Sequence, residues 1–203
     1  MMQKILKQNQ PLLLELYDVT QTGRILDAAQ AEYDRLCADH ADQVKAVKQH
    51  TFDQIYPNVA LYRALQTCGI PQPEALDFLD MSCCKLAEPK AKSMQMLCKI
   101  PGVYKLMPRI FTSVAKGQFG EAAGFRATYY DCGKHRSKFD MTHCLYYDTC
   151  TECGCPELTK CFCHTDDVTD GNIHPKLLWN RTQTIGEGAD FCDFDLLVRE
   201  EKP

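Results

Sequence analysis

The feature that most constrains this fold is a change of hydrophobic period near Phe125. Before it, apolar residues recur at helical spacing; after it, they alternate as they do on strands. "TGRILDAAQAEYDRLC" sets Ile25, Ala29 and Leu36 on one helical face behind a Thr cap, and "NVALYRALQTCG" repeats the pattern with Asn58 as cap and Gly69 as stop. "PQPEALDFLDMSCCKLA" and "PGVYKLMPRIFTSVAKG" each open at proline, and the second ends at Gly117. Pro57, Pro71, Pro73, Pro89, Pro101 and Pro108 punctuate these segments and predict mostly short helices, with a kink at Pro108.

Beyond Phe125, "FRATYYDC" and "KFDMTHC" flank "GKHRS", a hairpin signal, and Phe139, Met141 and His143 alternate onto one face, where His143 reads as a core histidine. "LLWNRTQTI" and "FCDFDLLV" form a second pair across "GEGAD", with Cys192, Phe194, Leu196 and Val198 on one side and Asp193, Asp195 and Arg199 on the other. Between the pairs, one helix runs from about Leu145 to Cys153 and stops at Gly154; a second opens at Pro156 and runs to about Asp170. The expected class is therefore α+β: a helical half, then a β-β-α-α-β-β unit whose antiparallel sheet packs on helices. The composition shift at "KGQFGEAAG" divides a helical region, 1–120, from an α+β region, 121–203, and the two can still form one compact domain.

Thirteen cysteines would suggest disulfides in a short secreted chain, but "MMQKILKQNQPLLLELYDV" lacks the apolar run and cleavage site of an export signal, and no segment has the apolar length of a membrane span. A cytoplasmic protein is expected, its thiols free, buried, catalytic or metal-bound. Basic residues outnumber acidic ones eleven to three between Lys85 and Lys138, and acidic outnumber basic thirteen to five from Phe139 onward, yet the net charge is only −4. Neither a nucleic acid nor a membrane is implied as partner. The basic segment reads as a solvated face, or as one that meets an anionic substrate or the acidic half of the same chain. Homo-oligomerisation is compatible with the sequence, which does not fix it.

Five cysteines crowd into "CTECGCPELTKCFCHTDD", Cys150 to Asp167. Leu158, Cys161, Phe162, Thr165 and Val168 are spaced as a core stripe, so Cys161 is expected to be a small buried hydrophobe. Cys163 differs: with Asp166, Asp167 and Asp170 it follows i, i+3, i+4, i+7, one helical face. Neighbouring carboxylates should raise its pKa, which opposes a free thiolate. A divalent metal such as Zn or Mn, held by Cys163, Asp166 and Cys192, would reverse that; so would an Asp acting as base for a nucleophilic thiol. A thiol among solvated aspartates, with no chemistry, is equally consistent with the spacing.

The remaining candidates are weaker. Cys150, Cys153 and Cys155 hold a single C-x2-C without a second pair or a His-x3-5-His, so core filling is the simpler reading. His164 projects about 100° from Cys163 on the helix and reads as a surface histidine. Asn172 and His174 lie in "GNIHPK", a loop that could close over a site, and Arg181, on a strand beside Trp179, could receive a substrate carboxylate through its planar fork. "GEGAD" lies between strands and does not open a helix, so no phosphate cradle is expected.

"HCLYYDTCTECGCPELTKCFCHTDD" followed by "HPKLLWNRTQTIGEGADFCDF" resembles the L-2-amino-thiazoline-4-carboxylic acid hydrolase family over the last third of the chain. Cys144 at a strand end, Cys163 and Asp166 in "CHTD", then "RTQTIGEG", then Cys192 to Phe194 in "CDF" carry the likeness. The resemblance implies ring-opening hydrolysis of a cyclic, cysteine-derived amidine to a carbamoyl-cysteine. With that reaction, Cys163, Asp166, Asp167 and Cys192 are expected at the catalytic centre, Cys144 and Arg181 about the substrate, and Asn172 and His174, from their loop, beside it. "GEGADFCDF" is also similar to the end of vinyl-reductase-type small-molecule-binding domains, which implies the alternative of a non-enzymatic binding or sensing module, with a cysteine-rich scaffold as a third choice.

Overall fold

The computed structural model describes residues 2–199. Helices α1 (Met2–Leu16), α2 (Val19–Asp39), α3 (Lys45–His50), α4 (Tyr56–Thr67), α5 (Gln72–Cys98) and α6 (Met107–Gln118) precede strands β1 (Arg126–Tyr130) and β2 (Arg136–His143). Helices α7 (Leu145–Glu152) and α8 (Thr159–Asp170) follow, then β3 (Leu177–Asn180) and β4 (Cys192–Val198). The strands form one antiparallel sheet in the order β1-β2-β4-β3, the α+β arrangement expected from the change of period. Among the described residues no helix is long and apolar enough to cross a membrane.

Local chemistry explains where the helices start. Helix α2 begins ahead of the expected Thr cap because the Asp18 carboxylate accepts the Gln21 backbone N–H at 2.8 Å, and Thr22 is buried inside the helix. Asn58 is no cap either. A π-helical turn, Thr51–Ile55, joins α3 to α4 without a break, so no orphan N–H groups remain there, and the Asn58 amide donates to the Gln54 carbonyl at 2.8 Å. Every residue from Tyr56 to Leu65 except Arg63 is buried, which makes α4 the central rod of the helical core. It ends as expected at Gly69, whose φ of +89° allows the Ile70 N–H to reach back to the Leu65 carbonyl.

Proline proves less disruptive than the sequence suggests. Pro89 lies inside α5 on its exposed side, beside exposed Lys85 whose carbonyl loses a partner, so water can complete the lost bond and the helix continues for 27 residues. Pro108 makes no kink: it occupies the first turn of α6, where a missing N–H costs nothing, after a short 3-10 turn at Val103–Leu106.

One face of the sheet is apolar. Phe139 pairs with Phe194 and Met141 with Cys192 across β2 and β4, and α6 covers them through Phe111, whose ring lies 5.7 Å from Phe139 and 5.5 Å from Trp179. The opposite face carries Lys138, Asp140 and Asp193 with Asp195, which Arg136 grips at 2.9 and 2.6 Å. His143, at the end of β2, is only half-buried and pairs with Asp148 at 2.9 Å, because the strand leaves the core there to enter α7.

Helices α7 and α8 belong to the same core as the N-terminal helices: Cys150, Cys155, Leu158 and Cys161 are buried with Ile25, Leu36, Leu61, Leu65 and Leu79. The seam at residues 116–124 is tied down by His50, whose Nε2–H donates to the Gln118 carbonyl at 2.9 Å while its ring packs among Phe119, Phe125 and Tyr146.

Candidate functional site

Cys163 occupies the second turn of α8, where the helix lies between α5 and the segment linking β3 to β4. Its thiol is buried, and what covers it is the turn Ile185–Glu187. A Cβ on Gly186 would lie 3.1 Å from the Cys163 sulfur and 3.0 Å from Thr159 Cγ2, so only glycine lets the turn come this close without displacement. Thr184, also buried, lies beside the thiol, and its hydroxyl donates to Glu187 at 2.8 Å. Cys192, on β4, accepts the Ile185 backbone N–H at 3.2 Å, and Cys144, at the N-cap of α7, completes a trio of thiols close enough to repel one another when charged.

The β3–β4 link owes little to strand pairing. Although an extended strand through Ile185 was expected, β3 stops at Asn180, and the next residues are held by Asp193, which accepts the Thr182 N–H at 2.9 Å, the Thr182 hydroxyl at 2.6 Å and the Gln183 N–H at 2.8 Å. These donors hold Asp193 below the ordinary carboxylate range, although burial works the other way. Each residue of "CDF" thus has a place: Cys192 anchors the turn, Asp193 the strand end, and Phe194 lies 5.6 Å from the Arg181 guanidinium.

Arg181 follows β3 directly, and its side chain is 3% exposed. Its guanidinium donates to Asp166 at 2.9 Å, to Asp167 at 2.7 Å and to the Cys163 carbonyl at 2.8 Å, beside the rings of Trp179 and Phe194. The fork expected to await a substrate carboxylate is already filled by two carboxylates of α8. Trp179 reinforces the clamp by donating its indole N–H to Asp167 at 2.9 Å.

The electrostatics follow from this packing. Burial, more than the repulsion of Asp166 and Cys192, pushes the Cys163 thiol up to about 12. Burial likewise raises Cys144 to about 12, against the N–H groups of Tyr147 and Tyr146, and raises Cys192. Crowding by protein atoms raises Asp166 to about 7, although the Arg181 contact favours its charged form. Its side chain keeps 41% of its surface open, so water screens part of that effect. Asp170 is raised by burial as well.

The structure therefore brings Cys163, Asp166, Asp167, Arg181, Cys192 and Cys144 into one neighbourhood. Asn172 and His174 lie elsewhere: the Asn172 carbonyl accepts from Gln95 at 3.1 Å, and the His174 ring stacks on Tyr104 at 4.4 Å and accepts the Lys176 N–H. His164 faces α5, paired with Asp80 at 2.7 Å. Among the described residues no three His, Cys, Asp or Glu side chains converge as the ligands of a metal would. Thr184, Gly186 and Asp193 are parts of the site that sequence reasoning missed. The signal for Thr184 and Gly186 was the run "RTQTIGEG" itself, since a glycine in a link between strands can mark close approach, and that for Asp193 was "CDF".

Among the described residues, two of the cavities that open on the surface are not lined by Cys163. One, of about 340 Å³, lies at the C-terminal end of α7 among Tyr62, Arg63, Cys153 and Cys155; the other, of about 410 Å³, lies on the polar face of the sheet among Lys138, Asp140, Asn180 and Asp193.

Fold and site together define an α+β protein with a buried cysteine centre where a helix, its arginine-clamped aspartates and a glycine turn meet. The chain belongs to the L-2-amino-thiazoline-4-carboxylic acid hydrolase family, whose model matches residues 48–196. That match begins in α3, so it takes in α4, α5 and α6 as well as the C-terminal third that carries the motifs. No curated protein and no solved structure matches the chain.

Proposed function

We propose that the chain opens the ring of a cyclic amidine such as L-2-amino-thiazoline-4-carboxylate by hydrolysis, with Cys163 as nucleophile and Asp166 as the proton carrier. The observation that carries this reading is the convergence on one thiol of the three segments, "CHTD", "RTQTIGEG" and "CDF", in a chain of this hydrolase family. A thiol held above neutral pH needs a base, and a carboxyl whose pKa is drawn toward neutrality both takes and returns protons efficiently.

In this mechanism Asp166 takes the Cys163 proton as the sulfur attacks the carbon flanked by one sulfur and two nitrogens. The proton passes to the ring nitrogen. The ring C–S bond then breaks, since a thiolate leaves more readily than an amide nitrogen, and the carbon stays bound to Cys163. Water adds to that carbon and displaces the Cys163 thiolate, so substrate plus one water yields carbamoyl-cysteine. Arg181 acts as a positioning residue: it fixes Asp166 and the Cys163 carbonyl, and the substrate carboxylate needs another partner. Asp167 completes the clamp, and Cys192 and Cys144 line the thiol's pocket. Entry requires the Ile185–Glu187 turn to lift from Cys163.

The test is turnover of L-2-amino-thiazoline-4-carboxylate by wild type and Cys163→Ala, read by mass spectrometry as substrate loss and carbamoyl-cysteine formation, with and without chelator. Loss of activity in a folded variant supports the reading. Full activity in the variant removes Cys163 from the mechanism, and loss on chelation alone favours a Zn- or Mn-dependent route. The closed cover over Cys163 favours one competing reading, a small-molecule-binding module; it predicts that folded wild type binds such amidines without turning them over.

A further inference from the structure

A second thiol centre lies at the C-terminal end of α7 and takes no part in the proposed hydrolysis. The helix closes with Gly154 at φ +69°, the Gly154 N–H bonded to the Thr151 carbonyl at 2.9 Å and the Cys155 N–H to the Cys150 carbonyl at 2.8 Å. This is the Schellman closure, and it brings the side chains of the residues at its two ends into contact. Here both are cysteines. The backbone bond between them holds their Cα atoms roughly 5–6 Å apart, within the span a disulfide bridges.

Three further observations bear on reactivity. Cys155 and Cys153 line the cavity of about 340 Å³, which gives small molecules a route to an otherwise buried sulfur. Arg63 lines the same cavity, donating to Glu32 and to the Cys153 carbonyl, so a fixed positive charge stands beside the thiols. The hydrogen bond from Cys150 pushes Cys155 below the ordinary thiol range, with Arg63 adding to it, while Cys150 is raised as the proton donor.

We propose that Cys155 and Cys150 form a peroxide-reactive pair that closes to a disulfide across the C-cap of α7, the Arg63 cavity admitting the oxidant. The Cys155 sulfur attacks one oxygen of a hydroperoxide, the O–O bond breaks, and its electron pair leaves on the other oxygen, which departs as water or an alcohol with the Cys155 proton. Cys155 is then a sulfenic acid. The Cys150 sulfur attacks it, the hydroxyl leaves with the Cys150 proton as a second water, and the S–S bond forms. Two thiols have lost two electrons and the peroxide has gained them. Cys153, the half-buried neighbour, is not required.

Full-length reduced protein is treated with substoichiometric hydrogen peroxide, quenched by alkylation at intervals and mapped by peptide fragmentation. We expect the peptide covering residues 139–160 to lose two hydrogens, with the bond between Cys150 and Cys155, roughly tenfold faster than Cys163 or Cys192 is oxidised. Cys150→Ala should leave Cys155 as a sulfenic acid that dimedone traps, and Cys155→Ser should abolish the fast phase. The proposal is overturned if the first bond joins any other pair, or if Cys150 and Cys155 remain fully alkylated while other thiols oxidise; wild type alone decides this, whatever the variants' folding.

Discussion

The two thiol centres of this molecule use one residue type to opposite ends. Around Cys163, burial and carboxylates keep the proton on sulfur, so reactivity depends on a base that arrives with the geometry. Around Cys155, a donor thiol and an arginine favour the thiolate against the effect of burial, and a cavity gives access to it. Cysteine chemistry here is set by the electrostatic surroundings that each helix position provides, and the count of cysteines says little about it.

The sharpest way to break the comparison is Cys163→Ala, which should lower kcat/KM by at least about a thousandfold, while Cys155→Ser leaves turnover within about twofold. Comparable losses in both would mean that the two centres act as one. Next, Arg181→Met removes the clamp between Asp166, Asp167 and the Cys163 carbonyl. Because those carboxylates are 41% and 49% exposed, a loss of about 2 kcal/mol in denaturant unfolding is expected, short of the cost of breaking a fully buried pair. The acid limb of kcat/KM should also move to higher pH as Asp166 loses its cation; an unmoved limb would exclude Asp166 as the titrating group.

Gly154→Ala puts a Cβ on a residue at φ +69° and should cost about 1 kcal/mol by thermal melting. It should slow disulfide closure and leave the Cys163 centre untouched, so an equal effect on turnover would deny the separation of the two centres. The smallest effect is expected from pH. Burial holds His50 below its ordinary value of 6.5, so the unfolded chain binds the proton more readily. Stability should be complete above about pH 6.5 and fall as pH drops below it, a dependence that His50→Phe flattens in melts between about pH 5 and 8.

Much of the fold was legible because its signals are local. The change of period fixed both hairpins, and Gly154 with Pro156 separated α7 from α8. Helix α1 and the run of α5 through Pro89 were not, because each rests on tertiary packing and on water at an exposed proline. The i, i+3 spacing correctly set Cys163 beside Asp166. It could not show that Arg181 was already engaged or that burial outweighs charge repulsion at the thiol. The Cys150–Cys155 pair escaped for a geometric reason: five residues on a helix turn through about 140° beyond a full circle, which sets the two side chains apart. Only the left-handed glycine that ends the helix turns the chain back to bring them together.

The central rod α4 is buried on nearly all sides, and Leu158 and Cys161, on α8 and the turn before it, share its core. As the chain leaves the ribosome, α4 emerges long before these late partners. Until they follow, Val59, Leu61 and Leu65 lack part of their cover, so a cell making this protein has a nascent chain with an unfinished apolar groove to shield, by slow synthesis or by a chaperone, until the last helix closes it.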